Sequence, residues 1–209
     1  IGDDIAIRQP EPWLAEAILH LQTFAKHKPL YFVHGNRDFL MGHDFARYIG
    51  ATLLPEQTIL EVDGLQIYLS HGDELCTDDK GFMLFRQWSR KAWLQKLFFK
   101  LPMPWRINIA NKARKQSNSK QAAVTYDTSK GEVTESAVRA IYQQYPELDG
   151  MIHGHTHRPQ MHQLNVDGKA YWRLVLPDWE LDHTKPRSGF VILNKNGPQL
   201  INHWSPPNS

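Results

Sequence analysis

Gly150-Met151-Ile152-His153-Gly154-His155-Thr156-His157 is the stretch on which the fold turns. Its apolar start predicts a short strand, and three histidines in the next five residues predict a metal-binding turn at the strand's end. On extended backbone an i,i+2 pair points the same way, so His155 and His157 are expected to serve neighbouring metal ions, one each. The plainer alternative is a strand end whose histidines are buried for packing alone.

Two upstream stretches repeat this layout. Pro29-Leu30-Tyr31-Phe32-Val33 is a continuous apolar run of the kind buried on both faces of a sheet, and it enters His34-Gly35-Asn36-Arg37-Asp38. Leu65 to Leu69 is strand-like and ends at Ser70-His71-Gly72-Asp73. Any one of the three could be a simple turn. Three in succession, each after a strand and each with a metal-binding side chain at its tip, point to a site at strand ends, where α/β proteins place their chemistry.

Outward from these motifs, Glu11–His27 carries apolar residues at helical spacing behind two prolines, and Phe39–Ile49 reads as a second helix ended by Gly50. Thr58–Ser70 reads as a hairpin turning at Asp63-Gly64. Lys80–Tyr126 reads as two helices broken at Pro102 and Pro104, and Val133–Tyr145 as another, with Thr134 or Ser129 near its start. Strand-like runs follow at Gln160–Val166, Ala170–Leu176 and Gly189–Leu193. The expected class is α/β, a layered core with a helical insertion between two of its strands.

The 209 residues are 41% hydrophobic and 22% charged, enough for a sizeable core. One cysteine, Cys76, excludes a disulfide framework or a cysteine-based zinc site and suits a reducing cytoplasm. No apolar run approaches the roughly 20 residues needed to span a bilayer. The net charge of +2 conceals an asymmetry. Lys80–Tyr126 holds 11 of the 24 Lys and Arg and no Asp or Glu, which leaves 13 bases against 22 acids elsewhere. Such a block predicts an anionic partner: nucleic acid, a membrane surface or a phosphorylated substrate.

The order Gly-Asn-Arg-Asp, His, Gly-His-Thr-His resembles the calcineurin-like metallophosphoesterase superfamily. Three longer stretches narrow the resemblance to the UDP-2,3-diacylglucosamine pyrophosphatases of lipid A biosynthesis: Phe32–Leu40, His71–Asp79 with its Leu75-Cys76-Thr77-Asp78-Asp79, and Met151–Pro159. Most of the wider superfamily has His where this chain has Arg37.

The resemblance implies a two-sheet sandwich flanked by helices. The core is then expected at 1–79 and 127–209, with 80–126 as a helical cap. It implies two divalent metal ions. Asn36 and His71 would bind one, with His155 beside them, and His157 the other. His153 matches no ligand position and is left as a supporting or structural residue. The donors are oxygen and nitrogen only, compatible with Mn2+. Asn36, Arg37 and His155 are the expected catalytic residues. Substrate contacts are expected from Asn36, Arg37, Asp79, Ser117, His155 and a lysine, Lys120 or Lys130.

Arg37 cannot lose its proton and can grip two phosphate oxygens at once, unless it simply pairs with Asp38 or Asp73. Asp73 is expected to orient His71 or another metal ligand. Asp3 and Asp4 match no ligand position. Ile1-Gly2-Asp3-Asp4 resembles the segment just after the family's second motif. The chain therefore reads as the larger, C-terminal part, with a strand–helix–strand unit of about 30 residues or more expected upstream. That unit would carry the Asp-x-His and Gly-Asp motifs and the carboxylate bridging the metals.

The implied reaction is water attack on the α-phosphorus of UDP-2,3-diacylglucosamine. The insertion's aromatic and aliphatic residues are expected to receive its acyl chains, and its bases an anionic inner-membrane surface on the cytoplasmic side. The bland alternative is an amphipathic helical pair with a solvated basic face. No nucleic-acid partner and no obligate protein partner are expected. Two competing functions remain: a metallophosphodiesterase acting on nucleotides or nucleic acid, whose tryptophans would stack on bases, and a non-catalytic module with a degenerate metal site.

Overall fold

The computed structural model describes Asp3, Ile7, and residues 11–123, 132–181 and 186–202, apart from the side chains of residues 114 and 116–123. The chain divides into two compact units, Ile1–Pro55 with Asp79–Lys130, and Glu56–Asp78 with Gly131–Ser209.

In the first unit, α1 (Pro12–Ala25) starts at the expected prolines, and β1 (Tyr31–Phe32) pairs in parallel with β2 (Thr52–Leu53). Between these strands lies α2 (His43–Tyr48), shorter than the Phe39–Ile49 helix the sequence predicts. The difference has a local cause. Asp3 accepts from Gly42 N at 2.5 Å through Oδ1, and from Asp44 N and Phe45 N at 3.1 Å each through Oδ2. A carboxylate on these orphan amides fixes the helix start at His43. Residues 36–40 form turns instead, held partly by Gly35 N donating to Asp38 Oδ1. Ile18, Phe45, Ile49 and Ala51 form this unit's buried cluster.

The basic segment makes three helices rather than two: α3 (Lys80–Ser89), α4 (Ala92–Phe99) and α5 (Met103–Ala123). The added break is at Lys91, whose ψ of 119° is extended. Neither glycine nor proline marks it in the sequence. No residue of α3 or α4 is buried. Among the described residues, no helix is long and apolar enough to cross a membrane.

The second unit is built on a five-stranded sheet ordered β3-β4-β5-β7-β6: β3 (Gln57–Val62), β4 (Leu65–Ser70), β5 (Gly150–His153), β6 (Gln160–Val166) and β7 (Lys169–Val175). β3 and β4 form the predicted hairpin. Asp63 and Gly64 both take positive φ, 51° and 86°, as a tight two-residue hairpin turn requires. The central strands β4, β5 and β7 run parallel, so their C-terminal ends emerge at one edge.

One face of this sheet is covered by α6 (Glu135–Gln144). Val138 and Tyr142 pack there with Tyr68, Met151 and Tyr171. Ile67, Ile152 and Leu174 point to the other face, against Val191, Leu193 and Leu200. Those belong to a hairpin, β8 (Gly189–Asn194) with β9 (Gly197–Asn202), whose second strand the sequence reading lacks. Sheet on sheet with a helix behind is the expected α/β sandwich.

Candidate active site

Three of the parallel strands deliver the polar residues. β4 ends in His71, β5 in His153 and the turn beyond it, and β7 in Leu176-Pro177-Asp178. The first two loops are tied together by Gly154 N donating to His71 O at 2.9 Å. The imidazoles of His71 and His155 meet edge to face, with ring centres 5.2 Å apart and planes at 67°. An imidazole nitrogen sits about 2.1 Å from a divalent ion, which puts the ring centre about 3 Å away and limits two rings on one ion to roughly 6 Å. The His71–His155 pair fits that limit.

The expected extended backbone at His155-Thr156-His157 is corrected. Residues 154–157 form a turn in which His155 and His157 both take left-handed φ, 70° and 55°. Residues with a Cβ pay for that conformation, and such strain collects where a site needs a particular side-chain direction. The two histidines therefore part. His155 joins His71, whereas His157 Nδ1 lies 3.2 Å from Asp178 Oδ2. Asp178 is not among the residues the sequence motifs single out, although its signal is there: a strand run ending in Pro177-Asp178, the same strand-then-polar-tip layout as the other three.

Among the described residues, no three His, Cys, Asp or Glu side chains converge as a metal-holding group. The site's pattern is two pairs, His71 with His155 and His157 with Asp178. The imidazole nitrogens that these pairs offer suit divalent ions of intermediate hardness.

His153, left without a role in the sequence, is fully buried beneath this edge. Its Nδ1 contacts Gly154 O and its Nε2 contacts Arg173 Nη1, both at 2.9 Å. Arginine can only donate, so Nε2 accepts and Nδ1 carries the proton. Burial, opposed only in part by the Gly154 carbonyl, pushes this imidazole down to about 4. Gly72, at φ 102°, packs so tightly that an added Cβ would stand 2.7 Å from His153 Nδ1.

In the first unit the Gly35–Asp38 turn follows β1. Arg90 Nη2 donates to Gly35 O at 3.1 Å, and its guanidinium lies 5.1 Å from the centre of the Phe39 ring. Asn36 is half-buried and Arg37 exposed. Asp38, considered as a partner for Arg37, instead accepts from Gly35 N. Asp73 is buried in the turn Asp73–Leu75 after His71. Asp79 caps α3, its Oδ1 accepting from Phe82 N at 2.9 Å. Ser117 and Lys120 fall on the backbone of α5, with side chains outside the described residues. Lys130 and Ser129 lie outside them altogether, as does Asp4.

Residues 1–159 match the calcineurin-like phosphoesterase family. A UDP-2,3-diacylglucosamine hydrolase of Bordetella parapertussis is 40% identical over 202 residues, spanning 96% of this chain and 77% of the relative. One from Shigella sonnei is 42% identical over 189 residues, 87% of this chain and 73% of the relative. Among solved structures, an archaeal phosphodiesterase covers 95% of this chain and 78% of its own at a TM-score of 0.44 and 10% identity, too loose a likeness to argue from. On the family match and these identities together, the chain belongs to the calcineurin-like phosphoesterases and groups there with proteins named UDP-2,3-diacylglucosamine hydrolase.

Proposed function

We propose that this protein hydrolyses the pyrophosphate bond of UDP-2,3-diacylglucosamine to UMP and 2,3-diacylglucosamine 1-phosphate, a step of lipid A biosynthesis. The observation that carries the reading is the identity to hydrolases of that name over nearly the whole chain. The His71–His155 pair supports it, because its spacing suits a shared ion.

The metal centre is read as two divalent ions, Mn2+ by preference, held by Asn36, His71, His155 and His157. When bound, they lower the pKa of a water and neutralise phosphoryl charge. The chain's own residues do the rest. The water oxygen adds to the α-phosphorus while the bond from that phosphorus to the bridging oxygen breaks. The bridging oxygen leaves with the β-phosphorus as the sugar 1-phosphate. Negative charge grows on the bridging and non-bridging oxygens, which is where Arg37, exposed and permanently charged, would grip. Asn36 contributes a neutral oxygen, so the site keeps more positive charge than a carboxylate would leave. Asp79 has one oxygen engaged with the Phe82 amide, which leaves Oδ2 for substrate. Ser117 and Lys120 complete the proposed contacts, with Lys130 the alternative lysine.

The segment 80–126 is read as a cap that takes the acyl chains. Leu84, Phe85, Trp88, Trp93, Leu97 and Trp105 are all exposed on its helices beside lysines and arginines, a pattern monomeric soluble surfaces avoid. The same surface suits peripheral attachment to the cytoplasmic face of the inner membrane.

The test is UMP release from UDP-2,3-diacylglucosamine by the native protein with Mn2+, set against cleavage of single-stranded DNA. Release of UMP, lost at least 100-fold in His71→Ala and His155→Ala, is the expected result. DNA cleavage without UMP release would overturn the reading.

A further inference from the structure

The carboxylate of Asp178 is poorly explained as an ordinary surface acid. Its side chain is only 10% exposed, at the end of a central strand, in a turn fixed on several sides. Leu176 N donates to His153 O at 2.7 Å, Trp179 Nε1 donates to Gly189 O at 2.6 Å, and Glu180 and Arg187 exchange both backbone hydrogen bonds at 2.9 Å. Arg187 then reaches back to Asp178 Oδ2 through Nε at 3.2 Å and Nη2 at 2.8 Å. The oxygen so held is the one that meets His157 Nδ1. Asp178 Oδ1 is buried without a hydrogen-bond partner among the described residues, so the acid's polar contacts run through Oδ2.

From this geometry we infer that Asp178 is a positioning residue for His157: it accepts the Nδ1 proton, fixes the tautomer whose lone pair is on Nε2, and so presents Nε2 to the metal. The inference rests on the metal-centre reading above. An ionised carboxylate can only accept, so a neutral imidazole facing it must carry its proton on Nδ1. A free histidine has no such constraint, and His157 needs one. Its side chain is 61% exposed and its backbone is in the left-handed region, so packing alone does not hold the ring. Arg187, bonded to the same oxygen and to Glu180, keeps the carboxylate from swinging away.

The test reads the tautomer first, without any variant. In metal-free native protein in alkaline buffer, long-range proton–nitrogen NMR correlations are expected to show His157 protonated on Nδ1. Protonation on Nε2 would overturn the inference. Calorimetric Mn2+ titration then gives the second readout. Asp178→Ala is expected to move His157 toward the Nε2–H tautomer and to weaken one of two Mn2+ ions by about 10–100-fold. Asp178→Asn keeps an acceptor oxygen and should recover most of both. Unchanged tautomer and Mn2+ affinity within twofold in Asp178→Ala would also sink it. His157→Ala separates the two levels. If that variant binds both ions as the native protein does, the metal-centre reading fails. If it loses an ion while Asp178→Ala does not, only the positioning role fails.

Discussion

Arg173 Nη1 donates to His153 Nε2 over 2.9 Å, so a buried histidine with no place in the metal-ligand pattern is locked in one neutral tautomer directly beneath the histidine loops. Its pKa near 4 has a consequence for stability. The unfolded chain takes up this proton near pH 6.5, whereas the folded protein resists it until about pH 4. The stabilisation is therefore complete above pH 6.5 and is lost as pH falls through that window, by about 3 kcal/mol at most. Urea midpoints of chelated protein between pH 7 and 4.5 should fall more steeply for the native chain than for His153→Gln. Parallel curves would mean that His153 is protonated in the folded state too.

The parts of the fold that were legible follow local rules. Asp63-Gly64 between alternating strands dictated its hairpin, and a His-Gly-His-Thr-His after an apolar strand announced a site. What was hidden depends on distant residues. The start of α2 is set by Asp3, some 40 residues away in sequence, and no local signal in Phe39–Ile49 reveals it. The left-handed backbone at His155 and His157 breaks the usual rule that such positions go to glycine, so sequence pattern predicted the ordinary strand geometry instead. Asp178 follows the strand-like run Ala170–Leu176 and Pro177, so its place at a strand tip is a local feature of the sequence.

Gly72→Ala tests the packing beneath the site. The position has φ 102°, and the new methyl would stand 2.7 Å from His153 Nδ1. Both strain and displacement cost stability, on the order of 1–3 kcal/mol. Because His71 is the adjacent residue, Mn2+ affinity should drop alongside the melting temperature. A variant that melts normally would show that the turn can relax without moving His153.

Tyr142 is fully buried on α6, donates its hydroxyl to Trp172 O at 2.6 Å and stacks on Tyr171 with ring centres 4.2 Å apart. Burial raises its pKa well beyond the ordinary range, so it stays a donor throughout the physiological span. Tyr142→Phe keeps the stack and leaves the carbonyl one donor short. It should cost about 1 kcal/mol in urea unfolding with no change in Mn2+ affinity.

Arg90 bears on how the cap can be tested. Removing the whole basic segment is the obvious way to ask whether it receives acyl chains, but Arg90 lies within it and holds Gly35 O at 3.1 Å beside Asn36 and Arg37. Such a deletion would disturb the Gly35–Asp38 turn and so impair every substrate. Arg90→Ala alone should lose about 2 kcal/mol of stability, from one charged hydrogen bond and the contact with the Phe39 ring, and should lower kcat on short-chain and long-chain substrates alike. Trp88 and Trp93 are 47% and 57% exposed, so replacing both with serine removes apolar surface at little cost to folding. Each methylene withdrawn from water contributes about 0.8 kcal/mol, so a cap that encloses acyl chains loses affinity in proportion to the chain length it covers. The double variant is therefore expected to raise KM at least tenfold for the diacyl substrate and to leave a water-soluble short-chain analogue unchanged. Equal effects on the two would show that these tryptophans meet something other than hydrocarbon.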